Sequence, residues 1–391
     1  MIIKRSKYLF FFFRSFPKFE LERILSDTQE FEKQIVLIPI LYGQEIIISQ
    51  EEFNWIINID ENIWTEYNQN DDNFRKYLDL GILLEKDSDT DIYIKHLQNE
   101  TLLIDQKWHI YAALFNFMTK WKDINVNFKS SAVKLDSEED MKKVIEENGY
   151  PPLYYHSIEN CAKKIPLVTV NNKTDDFFNL LLRRKTTRNF DKGKEMSFQD
   201  LSTLLKYTFG IQGVRSLYES DIVSVKKTTP SGGGMHSTEV YLLVMRVEGL
   251  EPGMYHYNTK EDSLHLIKSY TLDQIVEKAN LFTVGQEYCT DASVLFFLSH
   301  RYFRNFWKYR KNSSAYSVLL REGGHLCQNI YLIATKLNLG VFTAAINHSN
   351  IEIELGLNPF EQGVSMMAGV GVIDTNPEFK LEPIFDEFIS N

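Results

Sequence analysis

The sequence predicts an α+β fold, on three observations. Two nearly continuous apolar runs, Glu239 to Val247 and Ser293 to Ser299, are rich in β-branched and aromatic residues. Such runs suit central strands covered on both faces. Amphipathic helices accompany them, one opening at Ser197 and another spanning about Glu322 to Asn338, so helices pack around a sheet. The chain is also long: 391 residues, 43% of them hydrophobic, exceed what one small core needs and predict a second, smaller unit.

That smaller unit comes first. Lys4, Arg5 and Lys7 precede the apolar run Tyr8 to Phe13, which imitates a secretory signal, but Arg14 ends the run early and the segment reads as a buried strand. Apolar runs at Ile35 to Leu41 and Glu45 to Ile48 follow. Ser49 and Glu52 form a capping box for a helix with Phe53, Ile56 and Ile57 on one face. A second helix, around Asn73 to Leu80, stops at Gly81. Ile82 to Lys86, a turn at Asp87 to Asp91, and Ile92 to His96 have the pattern of a hairpin. Helices followed by a hairpin predict a small winged-helix-like domain over residues 1–130, able to bind a peptide along a strand edge or to serve as a packing appendage. The polar, acidic stretch Ser130 to Pro152 places a linker at 131–170, and residues 171–391 form the main domain.

In that domain Ser197 is an N-cap with Asp200 three residues on. Met196 and Leu201 form a hydrophobic staple, Leu201, Leu204 and Leu205 line one face, and Gly210 closes the helix. Leu326, Ile330, Ile333 and Leu337 mark the buried stripe of the later helix, which stops near Gly340.

Composition excludes several functions. A formal net charge of −10 opposes binding to a polyanion over a broad surface, so nucleic acid is not expected. The three cysteines, Cys161, Cys289 and Cys327, are widely separated and lack metal-ligand spacing, so no metal site and no disulfide framework is predicted. No stretch approaches the ~18 apolar residues of a membrane span, and a cytoplasmic location is expected.

Two segments carry chemistry. Arg183 to Arg188 packs four cations and two hydroxyls into six residues, a concentration of donors suited to a phosphate, although a solvated basic patch has the same composition. Thr229-Pro-Ser-Gly-Gly-Gly234 is more demanding. Three consecutive glycines before a buried strand imply a sharp turn or close approach to a ligand. His236, just beyond, is a ligand contact or a partly buried histidine.

Arg184-Lys-Thr-Thr-Arg188 resembles the flavin-phosphate motif of nitroreductases, and Pro230-Ser-Gly-Gly-Gly234 resembles their second flavin motif. Glu322-Gly-Gly-His-Leu-Cys-Gln-Asn329 and Gly249-Leu-Glu-Pro-Gly-Met-Tyr-His-Tyr257 are similar to SagB-type peptide dehydrogenases, as is the leading segment around Lys107-Trp-His-Ile-Tyr111. The resemblance covers about residues 175 to 375. It implies a nitroreductase-like FMN-binding fold, a central and mostly antiparallel sheet flanked by helices, in a homodimer with FMN at the subunit interface. Arg184, Lys185, Thr186 and Arg188 would hold the phosphate. Pro230, Ser231, Gly232 and Gly233 would line the isoalloxazine from the other subunit, and Gly340 to Thr343, including Phe342, would offer backbone N–H groups. Lys185 and Thr186 stand where arginine and serine are common; the lysine loses the bidentate fork. The family's cation near the C-terminus has only Lys380 as a candidate.

Lys308-Tyr309 resembles the adjacent Lys-Tyr pair of azoline oxidases, and this implies a catalytic role. An ammonium beside a phenol stabilises the phenolate, giving a base for the proton that accompanies hydride transfer. The bland alternative is an aromatic, basic substrate rim with Tyr302, Phe306 and Trp307. The leading expectation is dehydrogenation of azolines to azoles in a ribosomally synthesised peptide, with oxygen as oxidant. The same pocket would serve an NAD(P)H-dependent reduction of dehydroalanine in a lanthipeptide, and a non-enzymatic scaffold of a peptide-modifying complex is the third reading. The partners expected are therefore a peptide substrate and other peptide-modifying enzymes.

Overall fold

The computed structural model describes residues 1–17, 31–67, 72–127, 138–152, 162–168, 176–216, 223–310 and 312–376. The N-terminal part holds two small antiparallel sheets. In one, β1 (Ile2–Arg5) lies between β5 (Thr65–Glu66) and β6 (Leu83–Glu85); in the other, β3 (Phe31–Pro39) lies between β2 (Leu9–Pro17) and β4 (Ile46–Ile48). Helices α1 (Gln50–Asn58) and α2 (Asp72–Asp79) pack with them around Ile3, Leu37, Ile56, Leu78 and Ile82. The Ser49–Glu52 capping box forms in both directions. Ile56 is fully buried as expected, whereas Ile57 turns out to solvent.

One prediction fails here. Ile92 to His96 is not a strand but the start of α3 (Asp91–Asp105). The helix buries His96, Asn99, Glu100 and Leu103. Three of those four positions are polar, so the 3–4 residue period is present but invisible to a hydrophobicity reading. Glu100 is held by a buried ion pair at 2.8 Å to Lys4. Helix α4 (Ile110–Met118) follows, and α5 (Glu138–Asn148), built largely from the helix formers Glu and Lys, stands inside the stretch predicted as linker.

The main domain begins with α6 (Asp176–Arg183) and α7 (Phe198–Thr208). The Ser197 cap is made to the Asp200 amide at 3.0 Å, and Met196, Leu201, Leu204 and Leu205 are buried. A two-stranded hairpin, β7 (Gly213–Ser216) with β8 (Val223–Lys226), leads to a short 3-10 turn at Gly232–Gly234. The central sheet is then laid down by β9 (Thr238–Val244), β10 (Gly253–Asn258), β11 (Ser263–Ser269), β12 (Val294–Arg301), β13 (Leu339–Thr343) and β14 (Gln362–Val372), with α8 (Leu272–Phe282), α9 (Tyr302–Tyr309), α10 (Ala315–Lys336) and α11 (His348–Glu354) between them. Its order is β11-β10-β9-β12-β14-β13, and every described pairing in it is antiparallel. Apolar clusters cover both faces. One, on the α7 and α10 side, includes Leu204, Phe296 and Ile330, and the other includes Leu295, Phe297 and Phe342.

Helix α10 starts seven residues before the expected Glu322, because Gly323 and Gly324 read as a helix boundary yet lie inside the helix. A Cβ at Gly323 would sit 2.9 Å from the Met366 sulfur, so the glycine lets α10 approach β14 closely.

The two parts share a core. Trp108, Ala112 and Ala113 pack with Tyr302 and Phe306 of α9, Tyr316 and Leu319 of α10, and Phe360. Trp108 donates its indole N–H to the Phe360 carbonyl at 3.0 Å, and Lys120 pairs with Glu352 at 2.7 Å in a buried contact. Tyr302 and Tyr316 both donate to Asn116 Oδ1, at 3.1 and 2.8 Å. Among the described residues no helix is long and apolar enough to cross a membrane.

Candidate active site

Two clusters of expected site residues form, both against α10. The first follows α6. The Thr187 amide donates to the Val341 carbonyl at 2.8 Å, so the cation-rich segment runs beside β13, the edge strand of the sheet. Arg184 lies over the Tyr331 ring and Arg188 over the Tyr288 ring, each at 5.5 Å. The Thr186 and Tyr331 hydroxyls are 3.2 Å apart. Lys185 is exposed, while Arg184, Thr186 and Arg188 are half-buried. Among the described residues neither guanidinium meets a carboxylate: both are held on aromatic faces, which orient a cation without neutralising it. Half-buried, uncompensated cations beside a threonine hydroxyl fit a phosphate monoester.

Gly340 meets this segment directly, since a Cβ there would come within 2.9 Å of both Thr187 and Phe190. Phe342 does not present its side chain to the site. It is fully buried, packed against Phe190 at 5.6 Å and Tyr288 at 5.1 Å, and so props the segment from below. Lys380 lies outside the described residues.

The second cluster is the glycine loop. Gly233 has φ +64°, a conformation open to glycine, and Gly232 carries no side chain because a Cβ would run into Val318. Lys308 and Tyr309, at the end of α9, arrive at this loop. The Lys308 ammonium donates to the Gly233 carbonyl at 2.9 Å, and a Cβ at Gly233 would lie 2.8 Å from the Tyr309 hydroxyl oxygen. The loop and the Lys-Tyr pair, noticed separately in the sequence, are one structure. The Pro230 carbonyl faces His325 Nδ1 at 3.4 Å.

Ser231 opens a buried polar chain. Its hydroxyl donates to Glu322 and accepts from the His236 amide at 2.8 Å. Glu322 also accepts from the Thr238 amide at 3.0 Å and the Thr238 hydroxyl at 2.6 Å. Because that hydroxyl proton is committed to Glu322, His300 must donate from Nδ1 to Thr238 at 3.0 Å, leaving Nε2 to accept from Ser365 at 2.7 Å. Complete burial lowers the His300 pKa to about 4, consistent with a neutral ring. The chain fixes Ser231, and with it the loop.

The sequence reading gave no role to Glu322 or to Lys227. A carboxylate directly before a glycine pair inside a helical stripe was the available signal for the first; nothing distinguished the second. Trp108, quoted only for its resemblance, proves to support α9 and hence Lys308 and Tyr309. Cys289 and Cys327 are buried thiols, with pKa values pushed up to about 12 by burial, and no metal-binding cluster exists among the described residues.

Residues 181–372 match the sequence model of the Nitroreductase family. The chain carries a nitroreductase-family domain. Such proteins are oxidoreductases and generally flavin-dependent. The nitroreductase domain contains both clusters. This chain is 26% identical over 171 residues to MJ1384 of Methanocaldococcus jannaschii, named as a nitroreductase, covering 44% of this chain and 79% of that protein. It is 27% identical over 237 residues to the trifolitoxin-processing protein TfxB of Rhizobium leguminosarum bv. trifolii, covering 58% of this chain and 61%, less than two thirds, of TfxB. A chain of the E. coli microcin synthetase McbBCD complex with truncated pro-MccB17 bound shares its fold, with TM-score 0.51 and 16% identity over 74% of this chain and 100% of that one. The similarity in fold thus extends beyond the nitroreductase domain into the N-terminal part.

Proposed function

We propose that this chain is an FMN-dependent oxidoreductase that tailors a ribosomally synthesised peptide, most directly by dehydrogenating an azoline to an azole. The observation that carries the reading is the meeting of Lys308 and Tyr309 with the glycine loop. Likeness to a toxin-processing protein and, in fold, to a chain of a peptide-modifying synthetase supports the substrate class. Arg184, Lys185, Thr186 and Arg188 would hold the FMN phosphate, and Pro230, Ser231, Gly232 and Gly233 its ring system, with backbone near Gly340 alongside. Bound FMN supplies the two-electron acceptor that takes a hydride from the substrate.

The chain's own residues handle the proton. Lys308 is tied to the Gly233 carbonyl and so keeps Tyr309 beside the loop. Tyr309, as its phenolate beside the Lys308 ammonium, accepts the proton that the azoline ring loses with the hydride and becomes the neutral phenol. With molecular oxygen as the final oxidant, the two electrons and two protons removed from the ring would leave as hydrogen peroxide. The two clusters stand at separate levels of α10, Tyr331 and Glu322 being about 14 Å apart along the helix axis at 1.5 Å per residue. This spacing, with Leu181 and Leu182 exposed on α6, favours a homodimer whose subunits complete each other's sites. An obligate interface of this kind buries more than roughly 2,000 Å².

The test is mass spectrometry of a candidate azoline-bearing precursor after incubation with the purified, yellow protein. Loss of two hydrogens per ring supports the proposal. A gain of two hydrogens on a dehydroalanine-bearing peptide with NAD(P)H would reverse the direction of electron flow, and a colourless protein would end the enzymatic reading. Analytical ultracentrifugation checks the dimer, which a monomer carrying stoichiometric FMN would contradict.

A further inference from the structure

A second feature borders the glycine loop: it shares Pro230 and Ser231 with the surface proposed for the flavin ring and extends from there to the β7–β8 hairpin. Between the β7–β8 hairpin and Thr229–Ser231 lies an open cavity of about 520 Å³. Arg215, Lys226, Lys227, Thr229, Ser231 and His236 line it, and among the described residues none that lines it is acidic. That is a marked local excess in a chain whose net charge is −10.

Lys227 is the central group. It is half-buried, and among the described residues its ammonium has neither a hydrogen bond nor an ion pair. The described carboxylates that act on it are engaged elsewhere: Glu239 pairs with Arg301 at 2.9 Å and meets His256 at 3.2 Å, while Glu322 is saturated by Ser231 and Thr238. Burial pushes the Lys227 ammonium below the ordinary lysine value, with Glu239 and Glu322 opposing it. A half-buried cation without a partner is costly unless an anion arrives.

The walls favour one kind of anion. Among the described residues no Phe, Tyr or Trp lines the cavity to stack on a nicotinamide or adenine ring. Among the described residues the hairpin is a two-stranded sheet, each strand keeping one unpaired edge, and it exposes Val214 by 68% and Val223 by 50%. Open strand edge, exposed valines and adjacent cations are the features that accept an extended chain carrying carboxylates.

We propose that this cavity binds an acidic side chain, Asp or Glu, of an extended peptide substrate, with Lys227 as the specificity-determining cation and Lys226 and Arg215 at the rim. The inference rests on the peptide reading of the active site and adds that the substrate is acidic close to the residue being modified. It contacts the loop through Ser231 and His236, so a peptide seated there lies next to Tyr309 without using it.

The experiment uses the flavin-loaded full chain and two fluorescein-labelled extended decapeptides that differ only in having two Glu or two Gln residues. Anisotropy should show the Glu peptide binding about tenfold tighter or better, with the advantage shrinking as salt is raised. Lys227→Met should abolish the advantage, Lys227→Arg should retain most of it, and Lys226→Ala, at an exposed position, should reduce it partially. Equal binding of the two peptides to the wild-type protein would overturn the inference while leaving the peptide reading intact. An advantage that survives both Lys227→Met and Lys226→Ala would place acid recognition elsewhere and overturn it as well. Binding of neither peptide, with NADPH instead titrating the site in a Lys227-dependent way, would overturn both readings together.

Discussion

Replacing Trp108 with alanine should destabilise the whole molecule, because this residue joins the N-terminal part to the helix that carries Lys308 and Tyr309. Its side chain is 2% exposed, and its ring lies 4.5 Å from Tyr302, 4.9 Å from Phe306 and 5.7 Å from Phe117. Truncating a buried Trp to Ala typically costs about 3–5 kcal/mol. The Phe360 carbonyl, which accepts from the indole at 3.0 Å, would lose its partner, adding on the order of 1 kcal/mol or more. A total near 5 kcal/mol is a large share of the ~5–15 kcal/mol by which folded proteins are stable. Trp108→Phe refills part of the volume and should recover more than half of the loss. Urea denaturation followed by circular dichroism and by flavin release should show one transition, shifted to lower denaturant for both signals. A loss under about 1 kcal/mol, or a wild-type midpoint for flavin release after the N-terminal part has unfolded, would refute the reasoning, since either would mean that the two parts are stable independently.

Three further outcomes are expected. Arg188→Ala, which removes the guanidinium from the Tyr288 face, should release FMN while the fold persists; unchanged flavin occupancy after gel filtration would remove Arg188 from the site. Tyr309→Phe should slow single-turnover peptide oxidation by about 10²–10⁴ with FMN retained, and the double variant with Lys308→Ala should be little slower, because residues acting as a unit are non-additive. Stability should fall in acid through His300. Its folded pKa of about 4 lies below the unfolded value near 6.5, so the ring favours folding above pH ~6.5, and that contribution is lost as pH falls toward 4, on the order of 3 kcal/mol. Urea midpoints measured between pH 7 and pH 4.5 should drop less for His300→Gln than for the wild type.

What the sequence disclosed, and what it withheld, divides along the range of the interactions. The Ser49 and Ser197 caps and the runs that became β9 and β12 were legible because each is decided by neighbours within a few residues. Helix α3 was missed for the opposite reason: its buried stripe is His96, Asn99 and Glu100, and Glu100 is tolerated in the interior through Lys4, 96 residues away. The start of α10 was misplaced because Gly323 answers to Met366 across the sheet rather than to its own helix. The motifs of the site were visible as chemistry, but their assembly was not. Lys308 meets Gly233 across 75 residues and Trp108 meets Phe360 across 252, separations over which composition and periodicity carry no information. Lys227 is the extreme case, since in sequence it is one of two adjacent lysines in a polar stretch, the ordinary signature of a solvated surface. Only the placement of Glu239 and Glu322 with other partners makes its charge exceptional. Substituting Glu322 should therefore alter Lys227 as well as the loop, and the two effects separate by readout: loop geometry acts on flavin and turnover, while the lysine's charge acts on the salt dependence of peptide binding.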